Sequence, residues 1–142
     1  MNMNIVSESG IVPEYKTPGA AGFDISARLE EPFVLKAGER ALIPTGLYFE
    51  VPEGYEAQIR ARSGLAIKNG IGLVNGIGTI DADYRGEIKV PLINWSREDV
   101  TIEDGERIAQ VVISPVIQVD LKLVRELNET ERGAGGFGHT GK

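Results

Sequence analysis

The apolar and polar positions of this chain fall into short runs that are separated by glycine, proline and small polar residues. The prolines stand at positions 13, 18, 32, 44, 52, 91 and 115, and the runs include FVLKAGERALIPTGLYFEVP, YEAQIRA, EIKVPLINW, DVTIEDGERIAQVVISPVI and VDLKLV. Runs of β-branched and aromatic residues at this spacing, bounded by turn residues, are typical of strands in a sandwich or barrel. Long helical periodicity is missing, so the pattern predicts an all-β fold.

One short helix is predicted in the segment SGLAIKNG, residues 63–70. Ser63 is a candidate for the N-cap, because a serine hydroxyl can accept a hydrogen bond from a free amide of the first turn. Asn69 and Gly70 form a typical C-terminal stop, since glycine adopts the left-handed conformation without strain.

The segment GIGLVNGIGTI has Asn75 and Gly76 between two apolar runs. This dipeptide is the strongest short signal for a type I′ turn, so the segment predicts one hairpin. The second arm is expected to continue as a strand through DADY, where alternation would send Asp81 and Asp83 to the same face. Two like charges side by side destabilise a sheet, so a pair of this kind suggests a functional use.

The end of the chain differs in composition from the rest. Apolar content falls from Glu126 onward, and five of the last eleven residues are glycine. Such a segment cannot pack a core and is expected to be mobile without a ligand. We therefore predict a β domain over residues 1–125 and a flexible glycine-rich tail over residues 126–142.

Composition and charge narrow the classes of function. The 142 residues fit one domain, with 42% apolar and 25% charged residues as in ordinary soluble proteins. The net charge of −6 argues against a nucleic acid or an acidic membrane as the main partner, although a small phosphorylated ligand needs only a local group of donors. The absence of cysteine excludes thiolate nucleophiles and thiolate metal sites. The start lacks the features of a signal peptide and no apolar run reaches about 20 residues, so we expect a cytoplasmic protein.

Two segments are candidates for binding phosphate. Arg62 and Ser63 lie at the predicted helix start, where a guanidinium, a hydroxyl and free backbone amides would converge on an anion. In the tail segment RGAGGFGHTG, glycines allow backbone amides to approach an anion, Arg132 adds a charge and Phe137 adds a ring for stacking. An ordinary helix cap and a disordered end would explain the same residues, and these alternatives stay open. The match of GAGGFG to a dinucleotide fingerprint fails, because too few residues follow for a βαβ unit.

Asp81 is the best candidate for a general base, because a carboxylate within hydrogen-bond reach can deprotonate water. The alternatives are a solvated strand end for Asp81 and simple packing for Tyr84. Taken by itself, the segment AGFD is interpreted as a strand start, with Asp24 as an exposed acid. His139 is the only histidine and has neither a second histidine nor a cysteine to share a metal with. A nucleoside triphosphate would match the candidate sites taken together, and Mg²⁺ would then be expected on its phosphate oxygens. The sites are an anion site, an aromatic ring, a turn with free polar backbone and a base, formed by Arg62, Ser63, Arg132, Phe137, Asn75 and Asp81.

Five motifs, in order, give the chain a specific resemblance to a known family. They are AGFDI (21–25), ARSGLAIK (61–68), NGIGTIDADYRGE (75–87), GERIAQVVI (105–113) and RGAGGFGHTG (132–141). The sequence resembles the trimeric deoxyuridine triphosphatases over essentially its whole length. This resemblance implies a jelly-roll-like β subunit, a homotrimer with three shared active sites, and Mg²⁺-assisted hydrolysis of dUTP to dUMP and pyrophosphate. The reaction would lower dUTP and supply dUMP for thymidylate synthesis.

The resemblance also implies roles for individual residues. Asp81 would deprotonate the water that attacks the α-phosphorus, Asp24 would hold a water on the metal, and Tyr84 would pack under the deoxyribose and exclude a 2′-hydroxyl. The uracil edge and the nucleoside pocket would be formed by Asn75, Thr79, Ile80 and Lys89. The phosphates would be bound by Arg62, Ser63, Gly64 and Gln110. The tail of another subunit would close the site with Arg132, Phe137 and Gly138.

Asp83 is expected to support the site, for example by pairing with Arg107. The nearest alternative function is that of a dCTP deaminase of related fold, which would need an acid–base group aimed at the exocyclic amine of cytosine. The run DADYRGE and the full glycine tail favour hydrolysis at phosphorus. An alternative of another class is a module that senses dUTP and engages a protein partner without turnover, and the intact candidate base argues against it.

Overall fold

The computed structural model describes residues 1–137 of the chain. Within this range the backbone forms eleven β-strands and one short helix, which confirms the all-β prediction. The strands are β1 (Asn4–Ser7), β2 (Phe23–Ser26), β3 (Phe33–Leu35), β4 (Arg40–Pro44), β5 (Leu47–Glu50), β6 (Tyr55–Arg60), β7 (Ile71–Leu73), β8 (Ile77–Ile80), β9 (Lys89–Asn94), β10 (Val100–Ile102) and β11 (Arg107–Pro115). The helix α1 (Ser63–Asn69) lies between β6 and β7 in the chain.

Antiparallel pairing joins the described strands into four sheets. The largest has the order β2-β11-β6-β8, a second has the order β4-β9-β7, and the pairs β1-β5 and β10-β3 complete the fold. In β2, Phe23 and Ile25 are buried in the core, while Asp24 and Ser26 are only partly covered. Burial of a large apolar side chain stabilises the fold by about 1.5–3 kcal/mol. The alternation that fills the core therefore turns Asp24 away from it.

The predicted helix is present, but it begins differently. α1 begins at Ser63, with Arg62 in the N-cap position and no side-chain hydrogen bond at the cap. The prediction that Ser63 is the N-cap is therefore wrong. Gly70 ends the helix with φ of 67°, and its amide donates to the carbonyl of Ala66 at 3.1 Å, which confirms the predicted stop. No helix within the described range is long and apolar enough to cross a membrane.

The turn at Asn75 and Gly76 is present, but the hairpin prediction is wrong. The amide of Gly76 donates to the carbonyl of Leu73 at 3.2 Å, and Gly76 has φ of 70°, so the chain turns here. The two arms then diverge, because β7 pairs with β9 and β8 pairs with β6. Each arm is the edge strand of its sheet. The turn therefore links two sheets instead of closing a ladder between its own arms.

The strand that precedes the paired aspartates ends earlier than predicted. β8 stops at Ile80, and the amide of Tyr84 donates to the carbonyl of Asp81 at 3.2 Å, so residues 81–84 form a turn. Strand alternation does not apply to this segment, and the prediction that Asp81 and Asp83 share one face is wrong. Asp81 lines one cleft, whereas Asp83 lines a separate groove beside Glu50.

The last predicted strand, VDLKLV, is not formed. β11 ends at Pro115, and the following side chains at 117, 119, 121 and 123 are 88%, 69%, 93% and 99% exposed. These positions are Ile117, Val119, Leu121 and Leu123, which alternate as in a half-buried strand. No strand among residues 1–137 pairs with them. The domain boundary at residue 125 and the flexible tail over 126–142 stay predictions.

Candidate active site

One cleft of about 420 Å³ lies beside the loop that comes after β8. A volume of this size is within the range of small-molecule sites. The structure brings together five of the residues predicted for the nucleoside and the catalytic base, and adds two that were not predicted. The lining residues are Thr79, Ile80, Asp81, Tyr84 and Lys89, together with Leu42 and Glu87.

Tyr84 is held in the wall of this cleft by two hydrogen bonds. Its hydroxyl donates to the carbonyl of Glu87 at 3.1 Å, and its amide donates to the carbonyl of Asp81 at 3.2 Å. The residue is nevertheless 44% exposed. The ring therefore has a defined position while much of it stays open to a ligand.

Glu87 braces the same loop against the rest of the fold. Its carboxylate accepts a hydrogen bond from the amide of Gly46 at 3.0 Å and forms an ion pair with Lys89 at 3.4 Å. Local sequence signals missed Glu87 because its partner Gly46 is 41 residues away. Leu42 was missed for a similar reason, since it comes from β4 and reaches the cleft only through the pairing of β4 with β9.

Asn75 lies at the turn between β7 and β8, outside the residues that line the cleft. Its side chain is exposed, and its carbonyl accepts a hydrogen bond from the amide of Ile77 at 2.8 Å. β7 and β8 each have one side without a strand partner among residues 1–137. The free amides and carbonyls of such an edge can pair with the polar edge of a planar ligand.

A second group of polar side chains surrounds Asp24 on β2. Arg62 Nε donates to Asp24 Oδ1 at 3.1 Å, and Arg107 Nη1 donates to Asp24 Oδ2 at 3.0 Å. Arg62 Nη1 also donates to the backbone carbonyl of Arg107 at 2.9 Å. The side chains of Asp24 and Arg62 are 22% and 23% exposed. With two guanidiniums and one carboxylate, this arginine–aspartate cluster has a net charge of +1, which suits an anion such as phosphate.

The expectation that Arg107 pairs with Asp83 is wrong, because Arg107 forms an ion pair with Asp24 instead. The ladder between β2 and β11 shifts register between Arg107 and Ala109, which marks a β-bulge. Bulges re-aim side chains next to functional sites, and this one offsets Arg107 relative to β2. Neither the bulge nor a partner 83 residues away leaves a local signal in the sequence.

Gln110 and the start of α1 lie next to the cluster. Gln110 is opposite Asp24 in the ladder between β2 and β11, and its Nε2 donates to the carbonyl that precedes Arg62 at 3.0 Å. The first two helical residues, Ser63 and Gly64, are exposed. The structure therefore brings the predicted phosphate-binding residues to one region, namely Arg62, Ser63, Gly64 and Gln110.

The cleft and the arginine–aspartate cluster lie toward opposite ends of β6. Arg60 of β6 pairs with Gln110, whereas Ala57 pairs with Ile80, the last residue of β8 before Asp81. The next position along β6 is Glu56, and the four steps from Glu56 to Arg60 span about 13 Å at 3.3 Å per residue. A hydrogen bond spans only about 3 Å. Within one chain the candidate base and the candidate phosphate binders are therefore not in direct contact, and we call these two groups the half-sites.

The tail residues do not reach either half-site within the described chain. Arg132 Nε donates to the carbonyl of Gly135 at 2.8 Å, and Phe137 is fully exposed. Gly138 and His139, which the sequence also singled out, lie outside the described residues.

Among residues 1–137, no three histidine, aspartate or glutamate side chains come together in a way that could hold a metal ion. Mg²⁺ in nucleotide-binding proteins is usually held by one or two carboxylates together with waters and substrate phosphates. Asp24 is compatible with such an ion, because each of its oxygens accepts one arginine and retains a further lone pair for a metal-bound water.

An all-β fold that combines a nucleoside-sized cleft, a carboxylate in that cleft and a cationic cluster is the construction expected of a nucleotide-hydrolysing enzyme. The family model for dUTPase matches residues 8–141. Similar proteins include the deoxyuridine 5′-triphosphate nucleotidohydrolase of Bdellovibrio bacteriovorus, which is 59% identical over 133 residues, covering 94% of this chain and 89% of the relative. The protein of the same name from Chlamydia pneumoniae is 58% identical over 137 residues, covering 96% and 94%. The chain belongs to the dUTPase family.

Solved structures agree with this assignment and identify the fold as the jelly roll of these enzymes. A variant of the dUTPase of Staphylococcus bacteriophage 80alpha with dUpNHpp matches with a TM-score of 0.86 and 30% identity, covering 99% of both chains. A dUTPase variant from phage phi11 of S. aureus, described with a structural Mg(II) ion, matches with a TM-score of 0.80 and 26% identity, covering 91% of this chain and 100% of that one.

Proposed function

We propose that the chain hydrolyses dUTP to dUMP and pyrophosphate with Asp81 as the general base. Hydrolysis of dUTP follows from membership of the dUTPase family. The observation that supports the base assignment is the position of Asp81 in one cleft with Tyr84 and Thr79. In this mechanism the water oxygen forms a bond to the α-phosphorus while its proton passes to Asp81. The bond from the α-phosphorus to the bridging oxygen breaks, and pyrophosphate leaves.

The cleft suits the nucleoside part of the substrate. The ring of Tyr84 would lie under the deoxyribose, where a 2′-hydroxyl would collide with it. Asn75 and the free edges of β7 and β8 would pair with the uracil edge. Thr79, Ile80 and Lys89 would line the rest of the pocket, which is consistent with their common place in the cleft wall.

The arginine–aspartate cluster suits the triphosphate. Arg62 Nη2 has no hydrogen-bond partner among residues 1–137, so it is available to a phosphate oxygen while Nε and Nη1 hold the side chain in place. Ser63 and Gly64 would add a hydroxyl and backbone amides, and Gln110 would add an amide group. Mg²⁺ would be held mainly by phosphate oxygens and by a water on Asp24, and it would neutralise charge on the leaving pyrophosphate.

A homotrimer with shared sites is part of the proposal. The separation of the two half-sites along β6 supports it, because a partner subunit could bring its cleft against the arginine–aspartate cluster of this chain. The exposed alternating residues after Pro115 also support it, since an amphipathic segment without a strand partner among residues 1–137 fits a surface of another copy. The tail of a further subunit would then deliver Arg132, Phe137 and Gly138 to close the site.

A panel of dUTP, dTTP, dCTP and UTP with Mg²⁺, scored for pyrophosphate and for ammonia, tests the function. We expect rapid release of pyrophosphate from dUTP alone. Ammonia from dCTP would indicate a deaminase, and tight binding of dUTP without any product would indicate a sensor. Light scattering on the purified protein should give a mass of about three chains if the proposed symmetry is right.

A further inference from the structure

The ring of Tyr84 lies directly against the backbone of Gly86. A Cβ atom built on Gly86 would be 2.5 Å from Tyr84 Cζ and 3.0 Å from Tyr84 Cε2, and its closest contact would be the Tyr84 hydroxyl oxygen. Real Cβ atoms are not found at such distances. The space next to Gly86 is therefore already filled by the phenol.

Gly86 is not required for the shape of its own backbone. Its φ is not among the positive values that occur at eight other glycines of the described chain, such as Gly76. An alanine could adopt this backbone without strain. What excludes a side chain at position 86 is therefore the tyrosine ring alone, and a substitution would act on that ring.

A side chain at position 86 would have to push the ring outward. The hydroxyl of Tyr84 would then lose its hydrogen bond to the carbonyl of Glu87, which is the bond that fixes the far end of the ring. The amide of Tyr84 would keep its bond to the carbonyl of Asp81, because the turn itself would not change. The expected effect is a displaced ring on an intact loop.

We propose that Gly86 is a specificity-determining residue that sets the position of the Tyr84 ring and thereby the rejection of ribonucleotides. Gly86 acts through Tyr84 and does not itself touch the substrate, so it is a positioning residue. The inference rests on the proposed role of Tyr84 under the deoxyribose. One missing or extra methyl-sized group in a well-fitted pocket changes discrimination by about 10- to 200-fold.

The first experiment compares kcat/KM for dUTP and UTP in Gly86→Ala and in a matched control, Gly19→Ala. Gly19 is exposed, has no positive φ, and has nothing within 4 Å of a built Cβ, so its substitution should leave both parameters unchanged. For Gly86→Ala we expect the preference for dUTP over UTP to fall about 10-fold or more, mainly through a higher kcat/KM for UTP, because the displaced ring would no longer collide with the 2′-hydroxyl. The melting temperature should stay close to that of the control. An unchanged preference in Gly86→Ala would overturn the inference.

A double-mutant cycle with Tyr84→Ala separates this inference from the proposed function. If the Tyr84 ring excludes the 2′-hydroxyl, Tyr84→Ala alone lowers the preference for dUTP over UTP, and adding Gly86→Ala to it has no further effect. If Tyr84→Ala leaves the preference unchanged, the proposed role of Tyr84 is wrong. If Tyr84→Ala lowers it but Gly86→Ala does not, only the role of Gly86 is wrong. The double variant also guards against misfolding, because removal of the ring leaves room for the alanine side chain.

Discussion

The separation of the two half-sites predicts that two inactive variants restore each other when they share a trimer. Asp81→Asn removes the candidate base from the cleft but leaves the arginine–aspartate cluster intact. Arg62→Ala removes a phosphate binder from that cluster but leaves the cleft intact. If each site joins the cluster of one subunit to the cleft of the next, a subunit of the first kind can form an intact site with a subunit of the second kind.

The size of the recovery follows from the geometry of the ring. In a cyclic trimer with shared sites, every interface has a direction, from the cluster of one subunit to the cleft of its neighbour. A ring that contains both variants has one interface that joins an Asp81→Asn cluster to an Arg62→Ala cleft, whichever variant is in the majority. Every mixed trimer should therefore have about one third of the wild-type activity per trimer.

The assay is co-expression of the two variants with different affinity tags, followed by sequential purification of particles that carry both tags. Pyrophosphate release from dUTP with Mg²⁺ is then compared with the wild type and with each variant alone. Asp81→Asn co-purified with Asp81→Ala is the matched control, because no interface in that mixture contains the carboxylate. Mixed particles that remain as inactive as their parents would refute shared sites, since a site within one chain is broken in both kinds of subunit.

Further outcomes are expected from substitutions in single variants. Asp81→Asn alone should bind a non-hydrolysable dUTP analogue normally, while kcat falls about 10²- to 10⁴-fold; near-normal turnover would remove the base assignment. A chain truncated after Glu131 should stay folded and assembled but turn over poorly, because the described tail makes only local hydrogen bonds; unfolding of this variant would mean that the tail is structural. The fully buried side chain of Asn94 makes four hydrogen bonds. Asn94→Ala should therefore lower the free energy of unfolding by about 2–3 kcal/mol in denaturant titrations at fixed protein concentration. A free energy of unfolding equal to that of the wild type within error would show that water replaces the amide. The hydroxyl of Tyr48 donates to Glu8 at 3.0 Å, which raises the pKa of Tyr48. This stabilisation is complete below about pH 10 and is lost as the pH rises through the raised pKa, so Glu8→Gln should reduce the loss of melting temperature at alkaline pH.

The fold class could be predicted because its signals are local, whereas most of the cleft residues were predicted only through the resemblance of the five motifs to a known family. The turn at Asn75 and Gly76, the stop at Gly70 and the strand start in AGFD each depend on a few adjacent residues, and each is present in the structure. The predictions that failed depend on distant partners. The type of turn does not specify which strands its arms pair with, so the arms of the expected hairpin belong to different sheets.

The arginine–aspartate cluster shows the same limit at the level of side chains. Asp24, Arg62 and Arg107 each carry a charge that any surface could use, and only the ladder between β2 and β11 and its bulge bring them together. The strand predicted over VDLKLV fails for a related reason. Its alternation is real, but a strand also needs a partner, and no strand among residues 1–137 provides one.

The lack of a strand partner for the apolar segment after Pro115 would connect the assembly of subunits to catalysis. Full burial of the four exposed apolar side chains at 117, 119, 121 and 123 against another copy would contribute about 6–12 kcal/mol before the entropy of ordering is subtracted. Contact of this segment with a neighbouring subunit would also tether the glycine-rich tail. Arg132 is nine residues beyond Leu123, so with Leu123 held in place it could reach only positions within about 30 Å of Leu123. In the proposed trimer, this tether would explain how a tail that makes only local hydrogen bonds over residues 132–137 reaches one particular site, and the trimer would have to form before the site could close.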